Sequence, residues 1–344
     1  MIIGLGLIAC ADSIEVGDEL SGFGSELPRF AVLSGDDTYS SSSVGFLDAD
    51  ANPMAESWLH SGTTSPKLVE TLGGDTAFVT EERGDGTFTV IGRFGADVVS
   101  RFDLSTGEVL GQVRVREAFA VNPYDVVYTD SGRAFAVRFG KNPNEGVSDL
   151  DAGNDLVEID PSTAAILGLD EATGEIEGRI DLSAFDLDVA VGDSSLTTYA
   201  GPSTALEVGG SLIIGLGRYS LDYAAIGEGA FVVHDLESST STLVPLPGLR
   251  ACENVSRVPG KLRAFAVHCF GAYGAAEPDQ GVVLFELDDE GQATEIAAYR
   301  EVDYPDGEVP LGSVVVLDEG RAGSGACCRG SARFRHLRSG FGDR

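Results

Sequence analysis

The 344-residue sequence contains few basic residues and few residues of the kinds that bind metals. Lys and Arg number 23 against 55 Asp and Glu, which gives a formal net charge of -32. Such a charge repels nucleic acids and anionic bilayers, so nucleic acid is excluded as a partner. The only histidines are His60, His234, His268 and His336. They lack the spacing of zinc or haem motifs, so we expect no metal and no cofactor.

Long apolar runs and catalytic motifs are also missing. The longest apolar run, residues 2–9, is interrupted by two glycines and is far shorter than the roughly 20 residues of a membrane-spanning helix. We find no nucleophile elbow, no phosphate-binding loop and no dinucleotide fingerprint. Carboxylates are too numerous for an acid–base pair to be chosen, so we assign no catalytic residue.

Short strand-like segments separated by turn residues are abundant. Gly alone contributes 45 residues, and 43% of the chain is hydrophobic. Runs such as "TFTVIGR", "YDVVYT", "SLIIGLG" and "VVLFELD" are rich in Val, Ile, Phe and Thr and are bounded by Gly, Asp or Ser. This pattern is typical of β-strands, and no long stretch has helical spacing of apolar residues. The sequence therefore predicts an all-β protein.

The strands recur as a unit in which an apolar strand ends in Asp, a tight turn follows, and a second strand leaves. "FDLSTGEVLGQVRV" shows the unit most clearly. Its successive copies are marked by Asp48, Asp103, Asp160, Asp235 and Asp288. The intervals are 55, 57, 75 and 53 residues. A four-stranded propeller blade occupies roughly 40–50 residues, so each interval fits one blade with loop insertions. The longest interval carries the extra segment "GEIEGRIDLSAFDLDVAVGDSSL".

The turn sequence Asp-x-x-Thr-Gly-Glu, clearest at 103–108 and 170–175, resembles the YVTN-type β-propeller repeats of bacterial surface and periplasmic proteins. The stretch "NPYDVVYTDSGRAFAVRFG" is similar to their inner strands. The resemblance implies a β-propeller of six to seven four-stranded blades over 28–319, the last blade incomplete. We expect strands from both chain ends, "PRFAVLSG" and "LGSVVVLDE", to complete one blade. A pair of β-sandwiches is the alternative.

The first of the five cysteines ends the tetrapeptide "LIAC", which resembles the lipobox of bacterial lipoproteins. The resemblance implies lipid attachment at Cys10, a flexible tether over 10–27 and localisation to the outer membrane. No Lys or Arg precedes Cys10. Residues 1–9 are therefore interpreted as a signal peptide truncated at its start.

Cys252 and Cys269 flank two predicted strands joined by a Val-Pro-Gly-Lys turn. Cysteines placed in this way on paired strands can reach disulfide distance, and the lipobox indicates an oxidising compartment. We predict a disulfide between them. Two buried free thiols are the alternative.

Two Asp-rich segments place several oxygen ligands close together, as calcium loops do. They are "DLDAGND", with Asp149, Asp151, Asn154 and Asp155, and "DADAN", with Asp48, Asp50 and Asn52. Neither has the ligand spacing of a calcium loop, so both are predicted to be ordinary turns.

Residues 320–344 differ in composition from the rest of the chain. They contain six arginines and a single acidic residue, and the strand pattern stops. We interpret the segment as disordered or frame-shifted, replacing the remainder of the last blade. A basic arm for lipid headgroups or an acidic partner is the alternative.

These features favour a non-enzymatic binding or scaffold lipoprotein of the cell envelope. We expect its partner to be an envelope protein or a glycan. We expect it to contact the membrane through the lipid alone and to be a monomer. The alternative is a propeller hydrolase, similar to lactonases, with an acidic metal site in the central channel. The two hypotheses differ in whether carboxylates converge on one point.

Overall fold

A computed structural model describes residues 20–36, 38–272 and 279–301, together with the backbone of four further strand segments, 3–6, 313–318, 321–325 and 336–338. The chain divides into two compact units, Met1–Ile180 and Asp181–Arg344. Cys10 and most of 320–344 lie outside the described residues. The predicted lipid attachment therefore stays a prediction. The signal peptide and the atypical tail, of which only the backbone of 3–6, 321–325 and 336–338 is described, stay predictions as well.

The first unit consists of three consecutive four-stranded sheets. The first sheet contains β1 (Ile3–Gly6), β2 (Phe30–Gly35), β3 (Ser42–Leu47) and β4 (Pro53–His60). The second contains β5 (Thr76–Phe78), β6 (Thr87–Gly92), β7 (Val98–Asp103) and β8 (Val109–Arg114). The third contains β9 (Pro123–Tyr128), β10 (Ala134–Lys141), β11 (Gly153–Ile159) and β12 (Ile180–Asp181), with the short helix α1 (Asp149–Ala152) between β10 and β11.

The strands of each sheet are hydrogen-bonded in chain order. β1 pairs in parallel with β2, whereas β2 to β4, β5 to β8 and β9 to β11 form antiparallel meanders.

The second unit continues the pattern after a 3₁₀ turn, Ser183–Phe185, and a separate hairpin of β13 (Leu187–Val191) and β14 (Ser194–Thr198). One sheet contains β15 (Pro202–Val208), β16 (Ser211–Leu216), β17 (Gly229–Asp235) and β18 (Thr240–Leu246). The next contains β19 (Asn254–Arg257), β20 (Ala264–Cys269), β21 (Gly281–Leu287) and β22 (Ala293–Arg300). The last has three strands, β23 (Ser313–Asp318), β24 (Arg321–Gly325) and β25 (His336–Arg338).

Successive four-stranded meanders are the blades of a β-propeller, so the predicted all-β propeller class is confirmed. Within the described residues five sheets have four strands and the last has three. The predicted number of six to seven blades, the last incomplete, stays a prediction. The expectation that one blade is shared by both chain ends is wrong. The strand Phe30–Gly35 pairs with β3 in the first sheet, and Ser313–Asp318 pairs with β24 in the last. Each end strand has hydrogen-bonding neighbours from its own part of the chain.

The repeated Asp occupies the same place in each of the five blades. It lies at the end of the third strand, either as its last residue or directly after it, and opens the turn that follows. In the third blade this turn leads into the insertion that precedes β12. In the second blade Asp103 Oδ1 accepts a hydrogen bond from Thr106 N at 3.0 Å, and in the third Asp160 Oδ1 accepts one from Ser162 N at 2.7 Å. Hydrogen bonds donated by the turn residues hold the pKa of Asp103 and Asp160 below its usual value. The repeat read from the sequence is therefore the blade itself.

The apolar core contains rings and β-branched side chains contributed by neighbouring strands. In the first unit Phe46 meets Phe88 edge-on at 5.0 Å, and Trp58 meets Phe102 at 5.2 Å between centroids. Edge-to-face packing of this kind adds to the free energy gained by burial. Trp58 is the only tryptophan of the chain, so its fluorescence reports on the first unit.

In the second unit Cys252 and Cys269 form the predicted disulfide, which is confirmed. Both cysteines are fully buried in the core between β19 and β20 and their neighbours. A Cβ atom at Gly229 would lie 2.5 Å from Cys252 Sγ, so the residue beside the disulfide has to be glycine.

No helix within the described residues is long and apolar enough to cross a membrane.

Gly153, which joins α1 to β11, has the tightest backbone approach in the third blade. Its φ is +65°, and an added Cβ atom would lie 1.9 Å from the carbonyl oxygen of Gly140. Gly84, in the connection from β5 to β6, has a similar φ of +72° but open space around it. Substitution at the two positions therefore distinguishes the free-energy cost of the close backbone approach from the cost of the positive φ angle.

We expect Gly153→Ala to lower the free energy of unfolding of the first unit by about 3 kcal/mol, because strain in φ and a backbone clash add together. The matched control Gly84→Ala should cost about 1 kcal/mol, since it carries the dihedral strain alone. Urea unfolding followed by Trp58 fluorescence measures both. Equal losses in the two variants would show that the Gly140–Gly153 approach relaxes without cost.

Candidate binding cleft

A polar cleft of about 640 Å³ opens in the first unit, beside helix α1. It falls within the usual size range of ligand sites. Its lining comprises Gly146, Val147, Ser148, Asp149, Gly168, Asp170, Thr173, Glu175, Ile176 and Glu177. Four of these residues are acidic and none is basic. The cleft therefore concentrates negative charge on a chain that is already strongly acidic.

The cleft has two walls that come from separate parts of the third blade. One is the segment 146–149, which leads into α1. The other is 168–177, which belongs to the insertion between β11 and β12 and contains the turn "DEATGE". Asp170 Oδ1 caps this turn by accepting a hydrogen bond from Ala172 N at 2.8 Å. The sequence repeat thus builds one wall of the cleft.

Hydrogen bonds join the two walls. Ile176 N donates to Asp149 Oδ2 at 3.0 Å, and Leu150 N donates to the carbonyl oxygen of Gly174 at 3.2 Å. A Cβ atom at Gly174 would lie 2.4 Å from Ser148 Cβ, so glycine is required where the walls touch. The walls are held at a fixed separation at this end of the cleft.

Behind the cleft lies a network of arginines and carboxylates. Arg138 and Asp155, both on central strands of the blade and both fully buried, form a bidentate pair with N–O distances of 2.7 and 2.6 Å. Arg179 Nε donates to the same Asp155 carboxylate, and Arg179 Nη1 donates to Asp149 Oδ1 at 2.9 Å. The network therefore runs from the blade interior to the wall residue Asp149.

Every donor of the Arg138 guanidinium is used. Besides the two bonds to Asp155, Nη1 donates to the carbonyl oxygens of Val115 and Leu150, and Nη2 donates to that of Asp149. A buried guanidinium needs all five donors satisfied to avoid a large desolvation cost. Arg138 thus ties α1 to the sheet beneath it.

The network explains the Asp-rich segment "DLDAGND". Asp149 and Asp155 bind arginines, and Asp151 Oδ1 accepts bonds from three successive backbone N–H groups at Glu117, Ala118 and Phe119. In "DADAN", Asp48 Oδ1 caps its own turn through the N–H groups of Asp50 and Asn52. "DADAN" is a capped turn, as predicted, whereas the prediction of a turn at "DLDAGND" is wrong, because that segment is helix α1 and the start of β11.

Among the described residues, no three His, Cys, Asp or Glu side chains are grouped so that they could hold a metal ion. His234 and His268 are buried on β17 and β20. His234 Nδ1 shares a hydrogen bond of 2.8 Å with the Ser241 hydroxyl. Burial lowers the pKa of His268 to about 4, so this ring is neutral at physiological pH.

None of the cleft residues is assigned to a site from the sequence. The available signals were the 75-residue interval between repeats and the second copy of the turn at Asp170. Both indicated an insertion in the third blade, and insertions in propellers carry binding surfaces. No sequence pattern identifies the hydrogen-bond partners of Arg138 and Arg179, because these partners depend on which strands are neighbours in the fold.

Comparisons with known proteins give weak likenesses. No protein-family model matches the sequence, and no curated protein matches it. Three solved structures are similar in backbone. The crystal structure of BamB from Moraxella catarrhalis has a TM-score of 0.38 at 12% identity, covering 85% of this chain and 80% of that one. YCF48 bound to D1 peptide has a TM-score of 0.40 at 12% identity, covering 82% and 72%.

The third, quinohemoprotein alcohol dehydrogenase from Comamonas testosteroni, has a TM-score of 0.40 at 14% identity and covers 66% of this chain and 37% of that one. The fold assignment depends on the sheets of this chain itself.

Removal of the Arg138 guanidinium tests the network. We expect Arg138→Met to lower the free energy of unfolding by about 3–5 kcal/mol, because it leaves the buried Asp155 carboxylate with one arginine fewer. The control Arg133→Met breaks a half-exposed pair with Glu158 next to the same strand and should cost less than about 1 kcal/mol. Trp58 fluorescence in urea measures both, and similar losses would contradict a structural role for the network.

Proposed function

We propose that this chain is a lipid-anchored binding or scaffold protein of the cell envelope whose acidic cleft receives a positively charged segment of a protein partner. The observation that carries the proposal is the lining of the cleft, with four carboxylates and no Lys or Arg. Arginine or lysine side chains are the groups that such a lining attracts.

The position of the charges supports binding rather than stabilisation of the fold. The wall residues Glu175 and Glu177 are exposed, and so is Asp170, which also caps its own turn through Ala172 N. Asp149, in contrast, is engaged by Arg179 and by Ile176 N. Exposed carboxylates can exchange water for a ligand cation at small cost, whereas the engaged one fixes the wall.

Apolar surface accompanies the charge. Val147 in the lining and Leu167 beside the second wall are 37% and 40% exposed. A partner segment with a basic residue next to an apolar one fits this arrangement. The net charge of -32 adds long-range attraction for basic partners, which raises association rates at low salt.

Neutralising two exposed cleft charges tests this binding mode. We expect Glu175→Gln combined with Glu177→Gln to weaken binding of a fluorescent hexa-arginine peptide about fivefold at low salt, since each exposed pair contributes at most about 1 kcal/mol. Fluorescence anisotropy measures the affinity.

The control combines Glu237→Gln and Glu290→Gln, two exposed turn residues outside the cleft, which changes the net charge by the same amount. We expect less than a twofold effect from this control. Equal losses in the two double variants would mean that the peptide responds only to net charge, which contradicts a site in the cleft.

The anchoring part of the proposal depends on Cys10 and the lipobox resemblance. In cells that produce the chain from its own gene, Cys10→Ala is expected to abolish acylation and to release the protein from the membrane fraction, because a lipid anchor supplies that membrane affinity. Mass spectrometry of the fractionated protein measures both. Cys327→Ala is the matched control and should leave both unchanged. Unaltered membrane partitioning of Cys10→Ala contradicts the anchor.

A further inference from the structure

A second polar cluster lies in the first unit, beneath the connection from β5 to β6, and is separate from the cleft. Glu82 Oε1 accepts a hydrogen bond from Thr89 N on β6 at 2.8 Å. The Thr89 hydroxyl shares a bond of 2.7 Å with the Tyr128 hydroxyl on β9. The Arg101 guanidinium, on β7, lies over the Tyr128 ring at 5.0 Å. Three strands and a connection thus meet at these four side chains.

The cluster is incompletely hydrogen-bonded. Glu82 Oε2 and the Nε and Nη1 atoms of Arg101 are inaccessible to solvent, and none of the residues that the structure describes forms a hydrogen bond with them. Arg101 is only 1% exposed. Arg138, whose donors are all bonded, shows the arrangement that a purely structural buried arginine takes. A buried polar atom without a partner costs free energy, and the cost is greatest when the group is charged.

The connection is fastened at several points, among them Gly86, whose carbonyl oxygen accepts a hydrogen bond from Leu104 N at 3.0 Å. Thr80 N donates to Asp125 Oδ1 on β9 at 2.9 Å, and Arg83 Nη1 reaches the carbonyl oxygen of Pro161 at 3.4 Å. Between Thr80 and Arg83, Glu82 joins the segment to β6 through the bond from Thr89 N. Its protonation state therefore decides whether the segment is held by a neutral group or by a buried charge.

We propose that Glu82 is a proton-binding switch that fastens the β5–β6 connection to β6 when it is protonated and loosens the connection when it is ionised. The cluster geometry carries the inference, since the empty Oε2 is the atom that a proton would occupy. When Oε2 is protonated the carboxyl group is neutral, whereas the ionised form leaves a buried negative charge to which no described residue donates at Oε2.

Burial and two charged groups act on Glu82. Arg101 on β7 favours the ionised form, whereas Asp85 on the same connection opposes it. Burial is the largest effect and raises the pKa of Glu82 to about 7. The Arg83 guanidinium lies 5.7 Å from the Tyr128 ring centre. Burial raises the pKa of Tyr128, which keeps its hydroxyl neutral.

The sign of the pH effect follows from this shift. We call the connection closed when it is fastened to β6 and open when it is released. Because the pKa of Glu82 is higher in the folded state than its ordinary value of 4.5, the closed state binds the proton more tightly than the open state. Closure is therefore favoured at low pH. The equilibrium constant for closure falls by up to about tenfold per pH unit as the pH rises, and it becomes constant above about pH 7.

Hydrogen exchange measured by mass spectrometry tests the switch. In the full chain, corrected for intrinsic exchange, we expect protection of peptides covering 79–87 to fall about thirtyfold between pH 5.5 and pH 8. Glu82→Gln, a permanently neutral side chain that can donate from its amide, should be as protected at pH 8 as the wild type at pH 5.5. Glu81→Gln, one residue earlier and exposed, is the matched control and should keep the wild-type profile.

A pH-independent wild-type profile overturns the proposal, and so does a thirtyfold dependence that persists in Glu82→Gln. Asp85→Asn gives an independent check, because removal of its charge should move the midpoint to lower pH. An unmoved midpoint would assign the titration to another group. Hexa-arginine binding to the cleft involves other residues, so failure of the switch and failure of the binding proposal can be told apart.

Discussion

The third blade depends on the burial of a single guanidinium. Arg138 is fully inaccessible, and its five donors bind the Asp155 carboxylate and three backbone carbonyl oxygens. Because each of those acceptors would be costly to bury alone, the strand, helix α1 and the preceding blade must meet at this point. Arg179 extends the same network to Asp149 and so fixes one wall of the acidic cleft. The surface that could bind a partner is therefore determined by charges that lie beneath it.

Much of the fold could be predicted because each blade is encoded by a local sequence pattern. An apolar strand, an Asp that caps the next turn and a returning strand are all encoded within about a dozen residues. The structure places Asp48, Asp103 and Asp160 at equivalent positions in three successive blades. The disulfide was predictable for the same reason, since Cys252 and Cys269 flank two neighbouring strands.

Non-local features could not be predicted. The expected pairing of strands from both chain ends failed because alternation of apolar residues identifies a strand but not its neighbour. The partners of Arg138 lie 11 to 23 residues away along the chain, and nothing in the spacing marks them. The unfilled Oε2 of Glu82 likewise exists only because β6, β7 and β9 meet beneath the connection. Sequence alone identified the insertion in the third blade but not the cleft that it forms.

The claim that the network determines the cleft is tested most directly by Arg179→Met, assayed for hexa-arginine binding at low salt. Removal of a positive charge makes the region more negative, so attraction by net charge alone predicts tighter binding. A cleft that depends on Arg179 to hold Asp149 and the second wall predicts weaker binding, by about fivefold. Weaker binding would support the account, and unchanged or tighter binding would contradict it.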